Sequence, residues 1–155
     1  MRQCFSSTLT GVTAITNEER EIMSATTTHR GARDGLLRRA MRADAIVSGL
    51  VGLAGIPLVG WLAQHSGTTK AFEYGVAIFL IAYGVTVLGL AALPSVRRAG
   101  MGVMVANLVC TVAAVILVLA DIFRLTPIGV LTTLASGLYT LFFAQLQYRG
   151  WRRAN

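Results

Sequence analysis

The sequence predicts an all-α fold, a bundle of four transmembrane helices with the N- and C-termini on the cytoplasmic side. Three observations predict it. Residues 45–69, 74–96, 99–120 and 125–148 contain no Asp, Glu, Lys or Arg, giving runs of 25, 23, 22 and 24 residues. A helix needs about 20 apolar residues to cross the hydrocarbon core of a bilayer. Charged residues make up only 14% of the chain and hydrophobic residues 54%, whereas a soluble domain carries about 25% charge to cover its surface. The basic residues also alternate between connections: Arg30, Arg33, Arg38, Arg39, Arg42, Arg97, Arg98, Arg149, Arg152 and Arg153 flank one set of helix ends, and only Lys70 and Arg124 the other. Short basic flanks stay in the cytoplasm, and an even number of spans returns the chain to the side on which it started.

Taken in order, residues 1–30 form a polar tail rich in Ser and Thr, with Glu18, Glu19 and Glu21 in an acidic patch. The tail has no apolar stretch or cleavage site of a signal peptide, and its composition predicts disorder. Met23-Ser-Ala-Thr-Thr-Thr offers a second start that would leave 1–22 untranslated. Residues 31–44 are basic, with Leu36, Leu37, Ala40 and Met41 spaced to make the apolar face of a short interfacial helix. The transmembrane domain then covers 45–148.

Its first span runs over about 45–63, with Pro57 predicting a kink and Trp61 at the far interface. The second runs over about 74–93 and ends at Pro94. The third covers about 102–120. The fourth covers about 128–146, and the placing of Thr126 and Pro127 predicts an N-cap followed by a first-turn proline. Residues 149–155 are a basic cytoplasmic tail. Tyr148 and Trp151 would form an inner aromatic belt, and Trp61, Phe72, Tyr74 and Phe123 an outer one. Weak matches between the two helical pairs (Arg38-Arg39-Ala40 with Arg97-Arg98-Ala99, Gly75-Val76 with Gly129-Val130) are compatible with an old duplication.

The candidate chemistry is sparse. Span counting leaves no ionisable group at mid-depth, which argues against a proton-coupled exporter. Asp44 falls at the cytoplasmic mouth of the first span, where Arg42, Arg98 or Arg149 would neutralise it. Asn107, Thr111, Tyr139, Thr140 and Thr86, with Tyr83 nearby, are the polar groups expected at depth. They are read either as interhelical hydrogen-bond glue, at about 0.6 kcal/mol each, or as a small polar pocket. Arg33, Arg38, Arg39, Arg42, Arg97, Arg98, Arg149, Arg152 and Arg153 are the expected contacts for anionic lipid headgroups. Small-residue stripes at Ala45, Ser48, Gly49, Gly52 and Gly55, and at Ser136, Thr140 and Ala144, suit close helix packing or oligomerisation.

His29 and His65 lack partners at ligand spacing, so no metal site is expected. Gly49, Gly52 and Gly55 lie inside a span without the Lys-Ser/Thr of a phosphate loop, and no serine has a paired histidine. No catalytic residue, cofactor or nucleic-acid partner is therefore expected. Cys4 and Cys110 imply no disulfide framework.

Two boundary stretches, 37–49 (LRRAMRADAIVSG) and 145–153 (QLQYRGWRR), resemble a family of small four-helix bacterial integral membrane proteins of actinobacterial type. The resemblance covers about residues 36–153; it implies the fold and a cell-membrane location and supplies no active site. Three functions follow as expectations. The first is a non-catalytic accessory or scaffold subunit that packs with other membrane proteins. The second is a small homo-oligomeric transporter or channel using the Asn107 region. The third is a membrane redox component.

Overall fold

The computed structural model describes residues 35–153, and everything in them that is regular is helix. The four helices are α1 (Gly35–Ser66), α2 (Lys70–Ala92), α3 (Arg97–Leu119) and α4 (Pro127–Arg153). Each contains an apolar window long enough to cross a membrane, so the chain is a multi-pass membrane protein. The expected spans fall on these helices to within a residue. At ~1.5 Å per residue α1 is about 48 Å long and α4 about 40 Å, both longer than the hydrocarbon core.

The extra length lies at the end of the bundle that carries most of the described arginines, called here the basic end. The basic segment from residue 35 is continuous with the first span as one helix through Asp44, and its apolar face is not free for lipid. Leu37, Ala40 and Met41 are buried among the other helices. Leu37 and Met41 pack in one cluster with Ala45, Val87, Ala91, Val96 and Val103, and Trp151 closes over it. α1 continues as helix through Pro57. Residues 1–34, including Arg33 and the expected polar tail, lie outside the described residues.

The turns follow from local chemistry. Gly67 terminates α1 at φ +80, its N–H donating to the Ala63 carbonyl at 3.2 Å, as left-handed helix stops do. A side chain there is also sterically excluded, because its Cβ would run into the Arg124 carbonyl oxygen. Thr69 caps α2 by accepting from the Phe72 N–H at 3.2 Å. Thr126 caps α4 by accepting from the Gly129 N–H at 3.1 Å, and Pro127 follows it at the first helical position.

Close packing uses glycine. A Cβ on Gly52 would meet the Ala77 carbonyl oxygen at 2.7 Å, and one on Gly84 would meet that of Ala45 at 2.7 Å. The small-residue stripe of α1 is therefore consumed against α2 inside one chain. Gly137 brings α4 against Ala114 of α3, and Gly150 brings it against the backbone of Leu37. α1 thus packs on α2 and α4, and α3 on α4, while α2 and α3 meet only sparsely. Outward-facing Leu50, Leu53, Val85, Leu131 and Leu138 are each more than half exposed, an apolar belt that lipid covers.

Candidate functional site: a caged carboxylate

Asp44 is fully buried, with 0% of its surface exposed. Its position on α1 explains why. Leu37, Met41, Asp44 and Ser48 recur at helical spacing and share the face that points into the bundle. Each of the other spans then supplies a donor. Oδ2 accepts from the Tyr83 hydroxyl of α2 at 2.7 Å, from Asn107 Nδ2 of α3 at 2.8 Å and from Gln147 Nε2 of α4 at 3.0 Å. Asn107 Nδ2 also donates to Gln147 Oε1 at 3.3 Å.

Oδ1 is served differently. Its two neighbours are Ser48 Oγ at 3.5 Å and the Tyr139 hydroxyl at 3.4 Å, long for O–H···O bonds, which favour about 2.7–2.8 Å. Tyr139 is also 3.4 Å from the Asp44 main-chain oxygen. Every one of these partners is neutral. The expected neutralisation by Arg42, Arg98 or Arg149 is thus overturned: Arg42, Arg98 and Arg149 are exposed, while the carboxylate turns inward to hydroxyls and amides. Asp44, expected at the mouth of the first span, is instead enclosed between the helices. Span counting uses charged residues as span ends and so puts every charge at a mouth. Because α1 begins nine residues before Asp44, about 13.5 Å along its axis, the carboxylate reaches the level of Asn107.

Of the polar groups expected at depth, Tyr83, Asn107 and Tyr139 belong to this cage. Thr111 and Thr140 pair beside it at 2.8 Å, and Thr111 also reaches the Gly137 carbonyl at 3.2 Å, joining α3 to α4. Thr86 does not take part; it is exposed and its hydroxyl returns to the Ala82 carbonyl of its own helix at 2.7 Å. Gln147 and Ser48 were not foreseen as site residues. The signal for both was periodicity: Tyr139, Phe143, Gln147 and Gly150 follow one inward face of α4, as Asp44 and Ser48 do on α1.

Next to the cage, toward the far end, lies a cavity of about 250 Å³. Val47, Val51, Phe79 and Cys110 line it, together with Ser48, Tyr83, Asn107 and Tyr139 of the cage, and it opens on the outer face of the bundle, where Val47, Val51 and Phe79 are exposed. The two weakly held neighbours of Oδ1 therefore form part of the cavity wall.

The arginines of the basic end have separate roles. Arg38 donates to the Ala91 carbonyl at 2.6 Å and to that of Pro94 at 3.4 Å, covering carbonyls left free at the end of α2. Arg97 lies 5.4 Å from the Trp151 ring centre and Arg152 5.9 Å from that of Tyr148, both within cation–π range. Arg39, Arg42, Arg98, Arg149 and Arg153 are exposed.

At the far end, Ser66 and Thr68 donate to Glu73 Oε1, and the Thr126 hydroxyl donates to the His65 carbonyl. The Thr126 N–H donates to the Ser66 carbonyl at 3.0 Å, so the two far turns are tied together. No protein-family model, curated protein or solved structure matches this chain.

Proposed function

We propose that this chain is a small bacterial cell-membrane protein, with both termini cytoplasmic, that binds and moves a small molecule through the site at Asp44. The carrying observation is a fully buried carboxylate, bonded only to neutral groups, beside a cavity of about 250 Å³. Holding helices together does not require a charge. Neutral polar side chains do that at about 0.6 kcal/mol each, whereas an acid inside a membrane costs ~2.5–3.5 kcal/mol or more and marks function by default. The ten-to-two distribution of basic residues supports the orientation.

Proteoliposome flux tests the reading, using a panel of small cationic, neutral and anionic solutes. Flux of at least one solute, lost in Asp44→Asn while the bundle still folds, is the expected result. No flux across the panel, or flux indifferent to Asp44, would overturn it. An alkaline phosphatase fused after Asn155 should be inactive if the C-terminus is cytoplasmic.

A second reading, the accessory subunit, rests on α2. Gly75, Ala82, Thr86 and Gly89 share one exposed face of that helix, and a Cβ on Gly75 or Gly89 would meet nothing within 4 Å. Such a face suits a neighbouring helix in the bilayer. A stoichiometric partner in a mild-detergent pull-down, lost in Gly75→Leu/Gly89→Leu, would favour it.

A further inference from the structure

We infer that the cavity beside Asp44 takes a small lipophilic ammonium cation, an inference that rests on the small-molecule reading and names its ligand class. The argument starts with charge. A buried ion without a counter-ion costs several kcal/mol even after relaxation, and none of the partners of Asp44 found here is cationic. Hydrogen bonds offset part of that cost, but unevenly. Oδ2 has three contacts between 2.7 and 3.0 Å, while Oδ1 has two between 3.4 and 3.5 Å. Partners of both oxygens reach the cavity wall, Ser48 and Tyr139 from Oδ1 and Tyr83 and Asn107 from Oδ2, so an occupant meets the carboxylate through the groups that hold it.

Geometry then fixes the kind of cation. The Ser48 and Tyr139 hydroxyls direct their hydrogens toward Oδ1, which leaves their oxygen lone pairs free to accept from an occupant of the cavity. An ammonium N–H donated to either oxygen sits one hydroxyl away from the carboxylate and feels its charge in a medium of low dielectric. A hydrated metal ion is a poor match, because the wall is largely apolar (Val47, Val51, Phe79, Leu80 and Cys110) and the rest of it offers only neutral hydroxyls and an amide, with no charged ligand.

That wall suits hydrocarbon, and aromatic faces attract a cation's charge. Phe79, Tyr83 and Tyr139 supply the aromatic rings of the wall. As for size, an apolar cavity of about 150 Å³ holds benzene. The 250 Å³ here admits a single ring with a short ammonium arm.

Equilibrium binding to the purified full-length protein in detergent tests this with three isosteric probes: benzylammonium, benzyl alcohol and benzoate. The expected result is binding of benzylammonium at least about ten-fold tighter than benzyl alcohol, with benzoate weakest. Asp44→Asn should erase the difference, and Val51→Phe, which fills the cavity, should abolish binding of all three. The comparison of probes on the unaltered protein stands even if a variant fails to fold. As a second measurement, benzylammonium should slow alkylation of Cys110 by N-ethylmaleimide in a Cys4→Ser background.

Equal binding of benzylammonium and benzyl alcohol, tighter binding of benzoate, or no binding of benzylammonium would overturn the ammonium inference. The small-molecule reading fails on a different result, absence of Asp44-dependent flux for every solute class, so the two failures are distinguishable.

Discussion

At the basic end of the bundle Leu37, Met41, Val87, Val96 and Val103 fill the space between the helices. At the far end the largest buried side chain among the described residues is Val59, and the rest are Gly and Ala: Gly52, Ala63, Ala77, Ala114, Gly129 and Gly137. The two ends also use their acids differently. Asp44 gathers donors from residues 39, 63 and 103 positions away, while Glu73 gathers them from Ser66 and Thr68, within a single turn. One acid organises tertiary structure and the other organises a connection. The cavity lies where the dense end gives way to the sparse one, so the bundle is firm around Asp44 and has room beside it. A binding site needs both properties, because a fixed charge can discriminate among ligands only if the groups that hold it do not move.

The largest test of this contrast is Gln147→Leu. It removes a donor from Asp44 and an acceptor from Asn107, leaving two buried polar groups under-partnered, and should destabilise by about 3 kcal/mol or more. Thermal unfolding in detergent should register it as the deepest fall of the set. Leu37→Ala opens a hole in the basic-end cluster and should cost about 2–4 kcal/mol in the same assay, whereas Val59→Ala, the largest removal the far end allows, should cost distinctly less.

Thr126→Ala removes an N-cap and the tie to His65, with about 1 kcal/mol expected. It should raise hydrogen exchange at residues 65–70 and 126–130 while leaving 37–45 unchanged. Thr111→Val loses one interhelical hydroxyl pair and should cost about 0.6 kcal/mol. Thr86→Val, on the exposed face of α2, should leave the unfolding midpoint where it is. If Thr86→Val destabilised as much as Thr111→Val, the division into an inward polar set and an outward one would be wrong.

The four spans could be read from the sequence because run length answers to one physical quantity, the thickness of hydrocarbon, and needs no knowledge of neighbours. Thr126 and Pro127 were legible for a similar reason, since a cap and a first-turn proline act within four residues. The pairing of Thr111 with Thr140 was half legible: both were expected at depth, but nothing local says that one hydroxyl meets the other. Asp44 was misplaced because a charge that bounds an apolar run looks like a surface charge from either side. Its cage draws on Tyr83, Asn107 and Gln147, and no window along the chain contains all of them.

The sequence by itself determined how many times the chain crosses and where it turns, because hydrophobic length and turn chemistry are local. Only the tertiary structure decided that α1 extends about two and a half turns past Asp44 toward the basic end, that the stripe of small residues closes on α2 rather than on a partner, and that the carboxylate is met by hydroxyls and amides rather than arginine. The reason is that these depend on which helix faces come together. In a bundle where nearly every face is apolar, a few glycines and one buried acid select that arrangement.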